Sequence, residues 1–321
     1  MENIKERTIA DSKANYKSTS FQISQQPGYF RILTRALRIS QWVKNLLIFL
    51  PFLLAHKILH WPNAKTLISA CLSLCFCTSA MYIVNDIADI KADRRHPVKR
   101  YRPIANGDLR ISSGIRLSLG SLVMSLVIAG FFLKPTFLII PVLYCICSLL
   151  YSFKMKKLLL ADILTLATLY TLRIYAGGFV LDIPISNWLL AFSLCFFMSL
   201  ALLKRYSELH QVGSYLNSCN NNRYYKREDR NVVQIMGVGM GLLSVLVLVL
   251  YLQNKHVTVH YSHPGWLWFI VPLLLYWISR IWFLAERGIV KDDPVVFSVT
   301  DRTSYLVGAA AVSIFALSSW L

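Results

Sequence analysis

Apolar residues run through most of this chain in blocks of about twenty, separated by short polar connections, which is the pattern of helices long enough to cross a bilayer. Nine such blocks stand out, near 42–59, 64–86, 112–132, 136–153, 160–181, 187–208, 232–253, 264–285 and 302–321. The first is short and is interrupted by Pro51, which a membrane helix tolerates because neighbouring helices re-satisfy the freed backbone. The pattern predicts an all-α fold, a polytopic membrane bundle of about nine transmembrane helices, with residues 31–321 forming a single domain. Residues 1–30 are polar, mixed in charge and without an apolar stretch. They are expected to be a flexible cytoplasmic tail and not a signal peptide.

Lysine and arginine orient the bundle. With a cytoplasmic amino terminus, the inner connections 87–111, 153–160, 204–231 and 286–302 carry 7, 3, 6 and 3 of them, and the outer connections near 56–65, 133–135, 182–186 and 254–263 carry 2, 1, 0 and 1. That asymmetry obeys the positive-inside rule at every connection. Composition agrees with a membrane protein, at 55% hydrophobic and 16% charged residues. Topology and contact with anionic head groups account for much of the net charge of +18, and with no nucleic-acid motif present, nucleic acid is not an expected partner. Six of the seven cysteines fall inside the apolar blocks, where they are expected to act as small packing residues.

The concentration of chemistry is highest just after the second block, from Asn85 to Pro103. At about 100° per helical residue, Asn85, Asp86, Asp89 and Asp93 fall at about 0, 100, 40 and 80°, so four oxygen-bearing side chains would share one helix face. Carboxylates crowded in this way repel unless a cation sits among them, and magnesium takes oxygen ligands that it shares with phosphates. The bases that follow, Lys99 and Arg102 among them, would hold the remaining phosphate charge. A solvated, charged helix end is the plain alternative.

Further polar groups point to the same membrane face. At the end of the sixth block, Lys204, Arg205 and Glu208 lie on one side of a helix; an ordinary ion pair between Lys204 and Glu208 is the simpler account. Arg173 lies within the fifth block, where an arginine is costly unless it meets a polar cavity or an anion. The glycines that follow it, Gly177 and Gly178, permit close helix approach. Asp162 and Asp182, near the ends of that block, stay unassigned. Lys44 and Asn45, in the basic entry to the first block, are within reach of phosphate, although interfacial anchoring explains most of that segment. Tyr151, Lys154, Lys156 and Lys157 are divided evenly between topology and substrate binding. The segment 211–231 is polar enough for a mobile lid, with disorder as the alternative.

Asn85-Asp86-x-x-Asp89-x-x-x-Asp93, followed by His96-Pro97-x-Lys99-Arg100-x-Arg102-Pro103-Ile104-Ala105-x-Gly107, resembles the UbiA superfamily of intramembrane prenyltransferases. More narrowly, the segments Gln41 to Asn45, Tyr151 to Phe153, Leu172 to Gly178 and Lys204 to Leu209 resemble the branch that contains decaprenyl-phosphate phosphoribosyltransferase. Aromatic prenyltransferases of the superfamily carry a second aspartate-rich motif where this chain has Lys204, Arg205 and the single acid Glu208. The resemblance implies a magnesium-dependent transferase of the bacterial inner membrane with a cytoplasmic active site. Its substrates would be a polyprenyl phosphate acceptor and a phosphoribosyl diphosphate donor. Asn85, Asp86, Asp89 and Asp93 would bind the metal, and Asp86, Asp89, Asp93, Lys204, Arg205 and Glu208 would form the catalytic set. Lys44, Asn45, His96, Lys99, Arg102, Tyr151, Lys154, Arg173, Lys204 and Arg205 would contact substrate. The segment Lys291-Asp292-Asp293-Pro294-Val295-Val296-Phe297 looks like one found in relatives joined to a haloacid-dehalogenase-like phosphatase domain. A separate phosphatase acting on the product is therefore an expected partner, and a homo-oligomer stays open.

Two other functions fit parts of the pattern. A prenyltransferase moving an isoprenoid from its diphosphate to a small or aromatic acceptor would keep the same fold and first motif. A transporter would need polar residues along the midplane of several spans, whereas here they gather at one face.

Overall fold

The computed structural model describes residues 28–54, 61–212, 224–254, 261–290 and 293–320. Most of the expected tail, Asn217, Asn220 to Arg223 of the lid segment, Cys219, Lys291 and Asp292 lie outside the described residues. What is described is helical throughout, with no strand among the described residues.

The chain opens with a short basic helix α1 (Tyr29–Ala36) and a bent continuation α2 (Ile39–Leu54), the two inclined at 43°. The bend sits at Arg38, whose backbone is left-handed at φ 51°, ψ 50°, a conformation that costs a non-glycine residue energy and needs a compensating contact. Then come α3 (Trp61–Ala88), the short α4 (Ile90–Arg95), α5 (Ile111–Phe132), α6 (Ile139–Phe153), α7 (Ala161–Val180), α8 (Asn187–Val212), α9 (Arg230–Leu252), α10 (Ile270–Glu286), α11 (Pro294–Thr300) and α12 (Arg302–Trp320). Among the described residues, seven helices are long and apolar enough to cross a membrane, and they match the second to eighth apolar blocks. The bent α1–α2 pair makes an eighth span if it counts as one, and α12 supplies a shorter apolar helix where the ninth block lies.

Burial sets the layout. The apolar window of α3 is 67% buried and that of α7 is 56%, against 22% for α5, so α3 and α7 are central and α5 presents most of its surface to lipid. Helix α7 joins two cores. Ile163, Ala167, Tyr170 and Ile174 pack with α8, α9 and α10, while Leu169, Leu172, Ala176 and Val180 pack with α2, α3 and α6. Close approach of α2 to α7 depends on Gly177, where a Cβ would stand 1.9 Å from the Ile48 carbonyl oxygen. That contact fixes the height of Lys44 and Asn45 against α7.

The acidic segment departs from the expected single helix. Helix α3 ends at Ala88, Asp89 takes φ −95°, ψ 4°, and α4 begins at Ile90. Aspartate competes with the helix for backbone partners, and here its carboxylate is drawn to Lys156 across the interhelical gap. Replacing Gly177 by alanine is expected to destabilise the fold by about 1–3 kcal/mol through overpacking, read as thermal unfolding in detergent. Gly120→Ala, in open space on α5, should not destabilise it, since alanine is the better helix former.

Candidate active site

The polar ends of α2, α3, α4, α7 and α8 meet at the lysine- and arginine-rich end of the bundle. Two sequence-distant clusters are joined there, because Lys99 Nζ lies 3.8 Å from Glu208 Oε1. Lys156, from the α6–α7 connection, donates to Asp89 Oδ1 at 2.5 Å.

Around the first cluster, Arg102 Nη1 donates to Asp86 Oδ1 at 3.1 Å and to Asp93 Oδ2 at 2.6 Å, so these two carboxylates point at one cation. Arg38 also donates to Asp86, and its guanidinium lies over the Tyr82 ring at 5.0 Å. This is the contact that offsets its left-handed backbone. Burial pushes the Asp93 carboxyl above its ordinary value despite Arg102. Asn85 Oδ1 is buried and has no hydrogen-bond partner, an arrangement costing about 1–3 kcal/mol unless something binds it. No three carboxylate, imidazole or thiol groups among the described residues converge closely enough to hold a metal ion as the side chains stand. The donor chemistry nevertheless fits a hard cation, since the same segment supplies an orphaned amide oxygen and two carboxylates already gathered about one positive charge.

His96 is built into the turn that follows. Its Nδ1 accepts from the Val98 and Lys99 backbone N–H groups, each at 3.2 Å. Burial, and then Lys99, lower its pKa to about 4, which keeps the ring neutral near pH 7 with Nε2 left to donate. Burial also lowers the Lys99 ammonium, an effect that Glu208 partly offsets.

The second cluster is deeper. Arg205, 1% exposed, has its fork filled by protein: Nε donates to Asp162 Oδ2 at 2.6 Å, Nη1 to Glu208, and Nη2 to Tyr151 Oη at 3.3 Å. Asp162 is fully buried and also accepts from Tyr225 Oη at 2.9 Å and from the Ile163 N–H. Arg205 therefore braces α7 against α8. Lys204 is the more open cation, one-third exposed, and donates to Asp293 Oδ2 at 3.0 Å.

Arg173 and Asn45 are similarly committed. Arg173 Nε donates to Asn45 Oδ1 at 2.8 Å, Nη1 to the Leu169 carbonyl and Nη2 to Tyr144 Oη at 2.7 Å. The Tyr144 and Tyr170 rings lie 5.0 and 5.3 Å from the guanidinium. The Asn45 amide group donates in turn to Cys75 Sγ and Thr78 Oγ1, both at 3.2 Å. As arranged, these residues pin α2, α3, α6 and α7 together. Lys154 is exposed, and it is Lys156 that reaches the acidic cluster.

Residues that sequence reading passed over include Arg38, Asp162, Tyr225 and Asp293. Asp162 is indistinguishable in sequence from an end group, as Asp182 proves to be: it pairs with Lys134 at the opposite end of the bundle. Asp293 stands in the recognisable segment Lys291 to Phe297, which carries no hint of its partners Lys44 and Lys204.

A sequence profile of the UbiA prenyltransferase family matches residues 46–299, and the chain belongs to that family. Among its relatives, the uncharacterized protein y4nM of Sinorhizobium fredii is 35% identical over 284 residues, which is 88% of this chain and 55% of that protein; the chain thus spans about half the length of this relative. The nodulation protein NoeC of Azorhizobium caulinodans is 32% identical, covering 86% of this chain and 89% of its own. The decaprenyl-phosphate phosphoribosyltransferase of Mycobacterium tuberculosis is 33% identical over 184 residues, 56% of this chain and 60% of that one. Among solved structures, a UbiA homologue from Archaeoglobus fulgidus bound to GPP and Mg2+ shares the fold, with a TM-score of 0.66 at 15% identity over 89% of this chain and 99% of that one.

The buried Asp162–Arg205 pair should behave as scaffold. Asp162→Asn is expected to destabilise the protein by about 3–5 kcal/mol, because the guanidinium is left buried beside a neutral group. Chemical denaturation in detergent would measure it, with Lys154→Ala as a silent control.

Proposed function

We propose that the chain transfers a 5-phosphoribosyl group from phosphoribosyl diphosphate to a polyprenyl phosphate at the cytoplasmic face of the bacterial inner membrane, releasing diphosphate. The observation that carries this reading is the charge of the second cluster. Each of its acids is already paired, Asp162 with Arg205, Glu208 with Arg205 and Lys99, and Asp293 with Lys44 and Lys204, so the cluster offers no second aspartate-rich motif for a metal-bound diphosphate. Such a site suits two substrates that each bring phosphate. The resemblance to decaprenyl-phosphate phosphoribosyltransferases over about half of the chain supports the same pairing.

Asn85, Asp86, Asp89 and Asp93 would hold a magnesium ion, which when bound would neutralise charge on the departing diphosphate. Arg38, Arg102 and Lys156, now paired with those carboxylates, would turn to phosphate oxygens, where charge-assisted hydrogen bonds are strongest. Lys99 and Lys204 orient the two phosphate groups between α4 and α8. An oxygen of the lipid phosphate attacks the anomeric carbon of the ribose as its bond to the diphosphate breaks. That oxygen is anionic near neutral pH, so no strong general base is needed, in keeping with a His96 whose Nδ1 is occupied. The isoprenoid lies along the apolar surfaces between helices.

Purified protein in detergent, given labelled phosphoribosyl diphosphate, polyprenyl phosphate and magnesium, is expected to yield a labelled lipid. It should yield no prenylated product from a prenyl diphosphate and an aromatic acceptor, and the reverse result would assign the other chemistry. Asp89→Ala is expected to slow transfer by about 10²–10³-fold or more, a loss typical of removing stabilisation of developing charge. Undiminished turnover after exhaustive chelation would remove the metal from the scheme.

A further inference from the structure

One residue beside the site, Asp293, has no part in the reaction above. Asp293 precedes α11 and accepts from the Val295 N–H at 3.2 Å, an ordinary cap for a short helix. Three other helices converge on the same carboxylate. Lys44 of α2 donates to Oδ2 at 2.5 Å, Lys204 of α8 donates to that same oxygen at 3.0 Å, and Tyr170 of α7 donates to Oδ1 at 3.4 Å. Capping does not require two ammonium groups on one oxygen. The Lys44 and Asp293 side chains are 6 and 9% exposed and that of Lys204 is 32% exposed, so Lys204 alone of the three opens toward the site. Burial by itself would raise the Asp293 carboxyl, but Lys44 and Lys204 hold it well below the usual carboxylate range. The trio therefore carries one net positive charge.

Its surroundings are buried and aromatic, with Tyr170 and Phe197 7 and 4% exposed. Tyr170 stacks on Phe197 with centroids 4.7 Å apart, and Arg173 lies one helical turn along α7. We infer, resting on the phosphoribosyl-transfer reading for the acceptor's identity, that Asp293 is a positioning residue that sets the charge of the acceptor subsite. It holds Lys44 and Lys204 together while cancelling one of them, so that the pair receives a phosphate monoester on an isoprenoid and disfavours the more highly charged diphosphate. Electrostatic complementarity of this kind acts on selectivity more than on overall affinity.

Equilibrium binding of tritiated polyprenyl phosphate to the full chain in detergent, without donor and with competitors, tests this. Wild type is expected to prefer polyprenyl phosphate over polyprenyl diphosphate by about tenfold or more, Asp293→Glu to keep that preference, and Asp293→Asn to lose or reverse it. Preference for the diphosphate in wild type, or equal weakening of both lipids in Asp293→Asn, overturns the inference. Removing one member of a buried pair endangers folding, whereas removing both is often tolerated, so a second comparison uses Lys44. Lys44→Gln leaves the trio neutral and should weaken polyprenyl phosphate about tenfold, and adding Asp293→Asn should restore it. A double variant that binds worse than Lys44→Gln would show a purely structural carboxylate. Ribose 5-phosphate, a monoester without the lipid, should compete only weakly with the lipid in wild type; competition as strong as that of polyprenyl phosphate would place the donor there and overturn the acceptor assignment. Because binding is read without donor, a missing labelled lipid in the transfer assay counts against the reaction, and an unchanged lipid preference counts against Asp293.

Discussion

Charged groups set into an apolar bundle survive only where opposite charges meet, since an isolated ion taken out of water would shift its proton or unfold its surroundings. This constraint organises the lysine- and arginine-rich end of the protein. Asp86 and Asp93 are held by Arg102, Asp89 by Lys156, Asp162 and Glu208 by Arg205, and Asp293 by Lys44 and Lys204. Each pair except Arg102–Asp93 and Arg205–Glu208 links distant parts of the chain. The charges thus work as cross-ties between helices whose lipid-facing sides offer no hydrophobic drive to associate.

The ties fall into two kinds. Those around Asp162 and Arg173 are saturated: each guanidinium nitrogen named above has an acceptor, and the acceptors are themselves held. They make a rigid frame. Those around Asp86, Asp89 and Asp293 join bases, of which Arg38, Arg102 and Lys204 are partly open and Lys44 and Lys156 buried, to carboxylates that exceed what capping or packing requires, and Asn85 Oδ1 is left unsatisfied. A frame of the first kind that carries groups of the second kind is what preorganised recognition of phosphate demands.

Much of this was legible in the chain. Apolar blocks of bilayer length located the seven long helices, because nothing but a span needs twenty such residues in a row. Asn85 to Asp93 was legible because so many oxygens in nine residues are hard to explain as packing. What the sequence could not reveal was pairing at a distance. Lys44 reads as an anchoring base until Asp293, far along the chain, is seen beside it. Arg173 reads as an anion ligand because Asn45 and Tyr144, its neutral partners, come from other helices. The Lys156 partner of Asp89, where the helix breaks, was hidden for the same reason.

The saturated fork of Arg205 bears on how genetics of this protein would be interpreted. An alanine scan that scored only growth or product would rank Arg205 beside Lys204 and credit both with touching the substrate. One of those losses would report a helix pair that no longer docks, and only a parallel record of how much folded protein each strain accumulates would tell the two apart.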